Sequence, residues 1–189
     1  MKVYLITSIL LLFVHCTFAN GFVENKGQVA DQNGNINNEV LYIHHQGDLK
    51  ITLRQNGFSY EKIKSELSEE EILSKAKDQR SDFKIPMQSH RVDFVFPNKP
   101  QRIMAELPKQ HLLNFYKNNS AITAIRTFEK ITFFEVSAGI DVVFSINSAG
   151  LFKYDIVCSA PASLKNFKIS IDGANRLTLA EDELKINTE

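Results

Sequence analysis

Apolar residues recur at every second position over much of the chain, and that period suits strands, not helices. The clearest stretch sets Ile140, Val142, Phe144 and Ile146 on one face, with Asp141, Val143 and Ser145 on the other. Asn147-Ser148-Ala149-Gly150 then supplies turn residues. Phe152, Tyr154, Ile156 and Cys158 follow on one face, opposite Lys153, Asp155 and Val157. On a helix of 3.6 residues per turn these side chains would scatter around the axis, so the segment reads as a strand hairpin.

The same pattern recurs on both sides. Val40–His44 reads as a strand, and Leu49, Ile51 and Leu53 alternate with Lys50, Thr52 and Arg54. Asn56-Gly57 predicts a hairpin, because both residues tolerate positive φ, with Phe58 and Tyr60 on the returning strand. Val92, Phe94 and Phe96 alternate with Arg91, Asp93 and Val95 until Pro97, Asn98 and Pro100 stop the run. Short strands are expected over 103–106, 112–116, 124–128 and 131–136. Phe167, Ile169 and Ile171, then Leu177 and Leu179, then Leu184 and Ile186 close the series. This spacing predicts a mainly β domain over residues 20–189, an antiparallel β-sandwich or open barrel.

One segment breaks the pattern. Thirteen of the 24 residues between Glu61 and Lys84 are charged, too many for a strand core. Ser68-Glu69-Glu70-Glu71 fits a capping box, so a short solvated helix is expected near residues 69–77.

The N-terminus reads as an export signal. Lys2 precedes the apolar run Val3–Val14, which is shorter than the roughly 20 residues of a membrane span. Thr17-Phe18-Ala19 places small residues at −3 and −1, predicting cleavage before Asn20 and a signal peptide over 1–19. With it removed, no integral membrane segment is expected, and the mature chain is read as secreted or held at the outer cell surface. Only Cys158 outlasts signal removal, so a disulfide framework is excluded. Its apolar surroundings predict a buried, inert thiol. Lys plus Arg equals Asp plus Glu at 22 each, which excludes a basic nucleic-acid surface.

Several motifs carry a family resemblance. Phe22-Val23-Glu24-Asn25-Lys26-Gly27-Gln28 follows the signal directly. Leu113-Asn114-Phe115-Tyr116, Gly139-Ile140-Asp141, Lys153-Tyr154-Asp155-Ile156-Val157, Ser159-Ala160-Pro161 and Ile171-Asp172-Gly173-Ala174 come after it in order. Together they resemble an uncharacterised family of secreted bacterial N-terminal domains. Its members stand ahead of seven-bladed-propeller-type (SBBP) repeats. They also head large Bacteroidota surface proteins ending in gliding-motility-associated or type IX secretion sorting domains. Val29 departs from the pattern, where an aromatic is common, and the charged stretch around Ser68–Asp82 resembles an insertion. The resemblance implies an exported β-rich module and carries over no catalytic residue. It further implies that Glu189 falls inside the final β region, so a fragment of a longer product is expected, with downstream repeat domains as its partners.

Candidate site residues follow from these motifs. Glu24, Asn25, Lys26 and Gln28 are polar groups in a compact stretch that either bind a ligand or, around a tight turn at Asn25 and Gly27, hydrogen-bond neighbouring strands. Asp141 and Asp155 fall on the polar faces of adjacent predicted strands. They would serve as an acid/base pair or oxygen ligands for Ca²⁺ if brought together, or pair with Lys153 or Arg126. His44 and His45 point to opposite faces of a strand and do not suit one metal. No phosphate loop, nucleotide motif or serine elbow is present, and no cofactor or metal is expected. The expected function is a non-catalytic structural or interaction module. A carbohydrate-binding or adhesion module recognising a surface glycan or protein is the alternative, with Tyr42, Tyr60 and Tyr116 as candidate aromatics. A β-fold hydrolase using Asp141 and Asp155 is the remote one.

Overall fold

The computed structural model describes residues 21–31, 33, 35–78, 85–117, 120–162 and 164–188. The expected signal peptide, residues 1–19, lies outside the described residues. In chain order the strands are β1 (Phe22–Glu24), β2 (Val40–Gln46), β3 (Leu49–Arg54), β4 (Gly57–Ser65), β5 (Met87–Val95), β6 (Arg102–Pro108) and β7 (Leu113–Lys117). They continue as β8 (Ser120–Ile125), β9 (Thr127–Ser137), β10 (Ile140–Ile146), β11 (Phe152–Cys158), β12 (Ser170–Asp172), β13 (Arg176–Ala180) and β14 (Glu183–Asn187). One α-helix, α1 (Glu69–Asp78), sits between β4 and β5.

The main sheet runs β11-β10-β9-β1-β2-β3-β4-β5-β12, and β6 also pairs with β9. Two hairpins stand apart from it, β7–β8 and β13–β14. Every named pairing is antiparallel. The sheet curls into a half-barrel, as its apolar faces require. A sheet with one apolar face must bury it, and here the two ends of the sheet bury each other. Phe58 on β4 lies 5.4 Å from Phe144 on β10 and 5.0 Å from Tyr154 on β11. Phe22, Ile51, Leu53, Phe94, Phe133 and Val142 fill the space between. The expected open-barrel class is therefore the one observed.

Several details differ from the pattern in the sequence. The β3–β4 hairpin is present, with Arg54 opposite Gly57, but neither Asn56 nor Gly57 has positive φ. Gly57 is required instead by close approach, since a Cβ there would lie 2.0 Å from the Phe94 carbonyl oxygen. Expected separately, 124–128 and 131–136 join differently: β9 is continuous across Glu129 and Lys130, and the break falls at Arg126. Cross-strand partners accommodate the two charges, Lys109 for Glu129 and Glu106 for Lys130. The strand ladder also reaches into the charged segment, pairing Ser65 with Met87. Two of its charges are ion-paired, Glu61 with Lys50 and Lys62 with Asp48. Helix α1 starts at its capping box: Ser68 Oγ accepts from the Glu71 N–H at 3.3 Å, and Glu71 Oε2 accepts from the Ser68 N–H at 2.9 Å. Cys158 is exposed, not buried. It ends β11, the last strand on its side of the sheet, where Ile156 and Val157 are exposed too.

Candidate functional site

The stretch from Glu24 to Gln28 leaves β1 as a tight turn, and its polar groups are used within the chain. Asn25 makes four side-chain hydrogen bonds. Its Nδ2 donates to the carbonyls of Asn37 and Val40, each at 2.9 Å. Its Oδ1 accepts from the N–H of Gly27 at 3.0 Å and of Val29 at 3.3 Å. Glu24 Oε1 accepts from the Arg126 N–H at 2.6 Å and lies 3.2 Å from Lys26 Nζ. Lys26 Nζ also donates to the Ala124 carbonyl at 2.7 Å. Gln28 closes the turn, donating to the Glu24 carbonyl at 2.5 Å and accepting from the Lys26 N–H at 2.8 Å. Gly27 sits at φ +109, a conformation that favours glycine. The motif thus fastens β1 to the start of β2 and to the end of β8, and its side chains hydrogen-bond backbone groups of the turn and of both neighbours.

Gly139, Ile140 and Asp141 form the β9–β10 connection. Gly139 has φ +68, and a Cβ there would lie 2.5 Å from Ala162 Cβ. Its N–H donates to Glu135 Oε2 at 2.9 Å, and the Glu135 N–H donates to Asp141 Oδ1 at 2.8 Å. Glu135 itself has φ +55, and the register shifts between Ile140 and Val142. Asp141 therefore holds an irregular turn together, while Ile140 enters the core.

Lys153 and Asp155 form an exposed ion pair of 3.1 Å on β11. Tyr154 turns inward, and burial pushes the pKa of its hydroxyl up. Asp141 pairs with Val157 and Val143 with Asp155, so the two aspartates sit diagonally on one face of adjacent strands. Each is already engaged, Asp141 by a backbone amide and Asp155 by Lys153. Among the described residues no group of three or more His, Cys, Asp or Glu is placed to hold a metal.

His44 is buried, with Nδ1 3.0 Å from the Gly21 carbonyl oxygen and Nε2 3.1 Å from that of Gly150. It links the entry to β1 with the β10–β11 turn. Of the three candidate tyrosines, Tyr42 packs on Phe128 and Tyr60 on Phe94. Tyr116 is 76% exposed.

A cavity of about 440 Å³ opens beside β4, β5 and β14. The core faces of the two strands explain it. Phe58 and Tyr60 on β4, and Phe94 and Val92 on β5, give way to Lys62, Lys64, His90 and Gln88 where the hairpin leaves the barrel. Leu49 and Ile186 complete the apolar lining. The alternation of Tyr60, Lys62 and Lys64 is visible in the sequence, but the contribution of β14 is not. It depends on where a separate hairpin folds back.

Among the described residues no helix is long and apolar enough to cross a membrane. No curated protein and no solved structure matches the chain. Residues 22–189 match the family described as a domain of unknown function, DUF7948, and the chain belongs to that family.

Proposed function

We propose that the chain is a non-catalytic structural or interaction module of an exported bacterial polypeptide. In this reading the signal peptide over 1–19 directs it to the cell surface or medium, where it stands beside downstream repeat domains, as in the SBBP-associated proteins it resembles. The observation that carries the reading is the fate of the motif residues. Glu24, Asn25, Lys26, Gln28 and Asp141 hold the chain's own backbone. Both outlying hairpins expose apolar side chains. Leu112 precedes β7 and Phe115 and Tyr116 lie on it; Leu177, Leu179 and Leu184 lie on β13–β14. Such side chains suit contact with a neighbouring domain.

Two measurements test this. Immunoblotting of surface and medium fractions gives the native size: a band far above the 21.5 kDa of the chain supports a module of a larger exported protein. A band confined to the cytoplasm contradicts export. Assay of the purified protein on generic glycoside, ester and peptide substrates is expected to give no turnover. Hydrolysis abolished by Asp155→Asn would make the chain an enzyme and overturn the reading.

A further inference from the structure

The cavity beside β4, β5 and β14 belongs to none of the motifs, and its lining is sorted by chemistry. Leu49, Tyr60, Val92 and Ile186 give an apolar wall, while Lys62, Lys64 and His90 stand along the polar side. No carboxylate lines it among the described residues. Lys62 lies 3.7 Å from Asp48 in a pair about half exposed on both sides. His90 Nε2 donates to the Gly173 carbonyl at 2.8 Å. The Lys64 ammonium has no ion-pair or hydrogen-bond partner among the described residues, although its backbone pairs with Gln88. A volume of about 440 Å³ lies in the range of small-molecule sites, which are largely apolar with a few placed polar groups.

From this arrangement we infer that the open end of the half-barrel binds a small amphiphile, an apolar chain ending in a carboxylate. The chain lies on Leu49, Val92 and Ile186, and the carboxylate meets Lys64 with Lys62 beside it. Apolar burial supplies most of the affinity, and the lysines select the sign of the head group. Burial, with Tyr154 adding to it, raises the pKa of Tyr60, so its hydroxyl stays protonated and adds no negative charge to the site. A free fatty acid and the surface of an anionic membrane share part of this chemistry. A concave lining drawn from β3, β4, β5 and β14 favours the single free molecule over a flat membrane surface.

The test uses the purified protein and three probes of equal chain length, below their micelle concentrations: dodecanoate, dodecanol and dodecyltrimethylammonium. Calorimetry is expected to give saturable one-to-one binding of dodecanoate, with the cationic probe at least about tenfold weaker. Lys64→Glu is expected to weaken dodecanoate about tenfold and dodecanol less than about twofold, because the substitution lies on an exposed strand arm and reverses one charge. Ile186→Glu is expected to weaken all three. Absence of saturable dodecanoate binding would overturn the proposal, as would equal affinity for the three heads or indifference to Lys64→Glu. Co-sedimentation with phosphatidylglycerol vesicles, not competed by monomeric dodecanoate, would assign the lysines to a membrane surface and overturn it as well.

Discussion

Phe58 meets Phe144 edge-on, with ring centroids 5.4 Å apart, although β9, β1, β2 and β3 separate their strands in the sheet. The contact joins the two ends of the curled sheet. Phe58 also stacks on Phe94 at 4.6 Å, with planes 9° apart, and touches Tyr60, Phe96, Phe152 and Tyr154. Removing this ring takes away packing from both sides of the core at once. Phe58→Ala is expected to cost about 3–5 kcal/mol in urea denaturation. Phe115→Ala, on a partly exposed ring of the outlying β7–β8 hairpin, is expected to change stability by less than about 1 kcal/mol.

Two glycines on the same sheet should respond differently to a methyl group. At Gly57 the added Cβ would meet the Phe94 carbonyl oxygen at 2.0 Å, and backbone on both strands must move. At Gly47, φ is +62 but nothing lies within 4 Å, so only the left-handed conformation is strained. Gly57→Ala is expected to lower stability by about 3 kcal/mol, and Gly47→Ala by about 1 kcal/mol. Thermal unfolding of the two variants side by side checks the order.

Acid should weaken the polar face of the sheet. Burial alone would raise the Glu61 pKa. The hydrogen bond and charge of Lys50, the Ser89 hydroxyl and Arg91 outweigh it and hold the group below its ordinary 4.5. A lowered folded value means that this stabilisation is complete above the unfolded value and is lost as pH falls through the folded one. The pair is partly exposed, so its size is at most about 1 kcal/mol. Glu61→Gln is expected to reduce stability at pH 7 by that amount and to flatten the fall in stability below about pH 5. An unchanged acid slope would place the sensitivity elsewhere.

The strands were legible because alternation is a local property. Ile140–Ile146 could be read from seven letters, and its burial alternates residue by residue as read. The helix was legible because a capping box is also local. Three things were not. Gly57 carries the sequence of a positive-φ turn, yet its need arises from Phe94, a residue on another strand. Cys158 sits in apolar sequence, but it falls on the end strand of the sheet, and strand order is not written in periodicity. The cavity needs β14 to fold beside β4 and β5, a long-range arrangement with no local signature. Asn25 lies between these cases. Its turn could be read from Asn25 and Gly27, but its partners Asn37 and Val40 lie 12 and 15 residues away.

The central claim is that the Glu24–Gln28 motif builds the module and is not its binding site. Asn25→Ala tests it most directly, because four hydrogen bonds converge on that side chain. At roughly 1 kcal/mol for each bond lost, offset in part by water reaching the turn, stability in urea denaturation is expected to fall by about 3 kcal/mol. Hydrogen exchange should show protection lost first at β1 and the start of β2. An unchanged unfolding midpoint, with β1 still protected, would contradict the account.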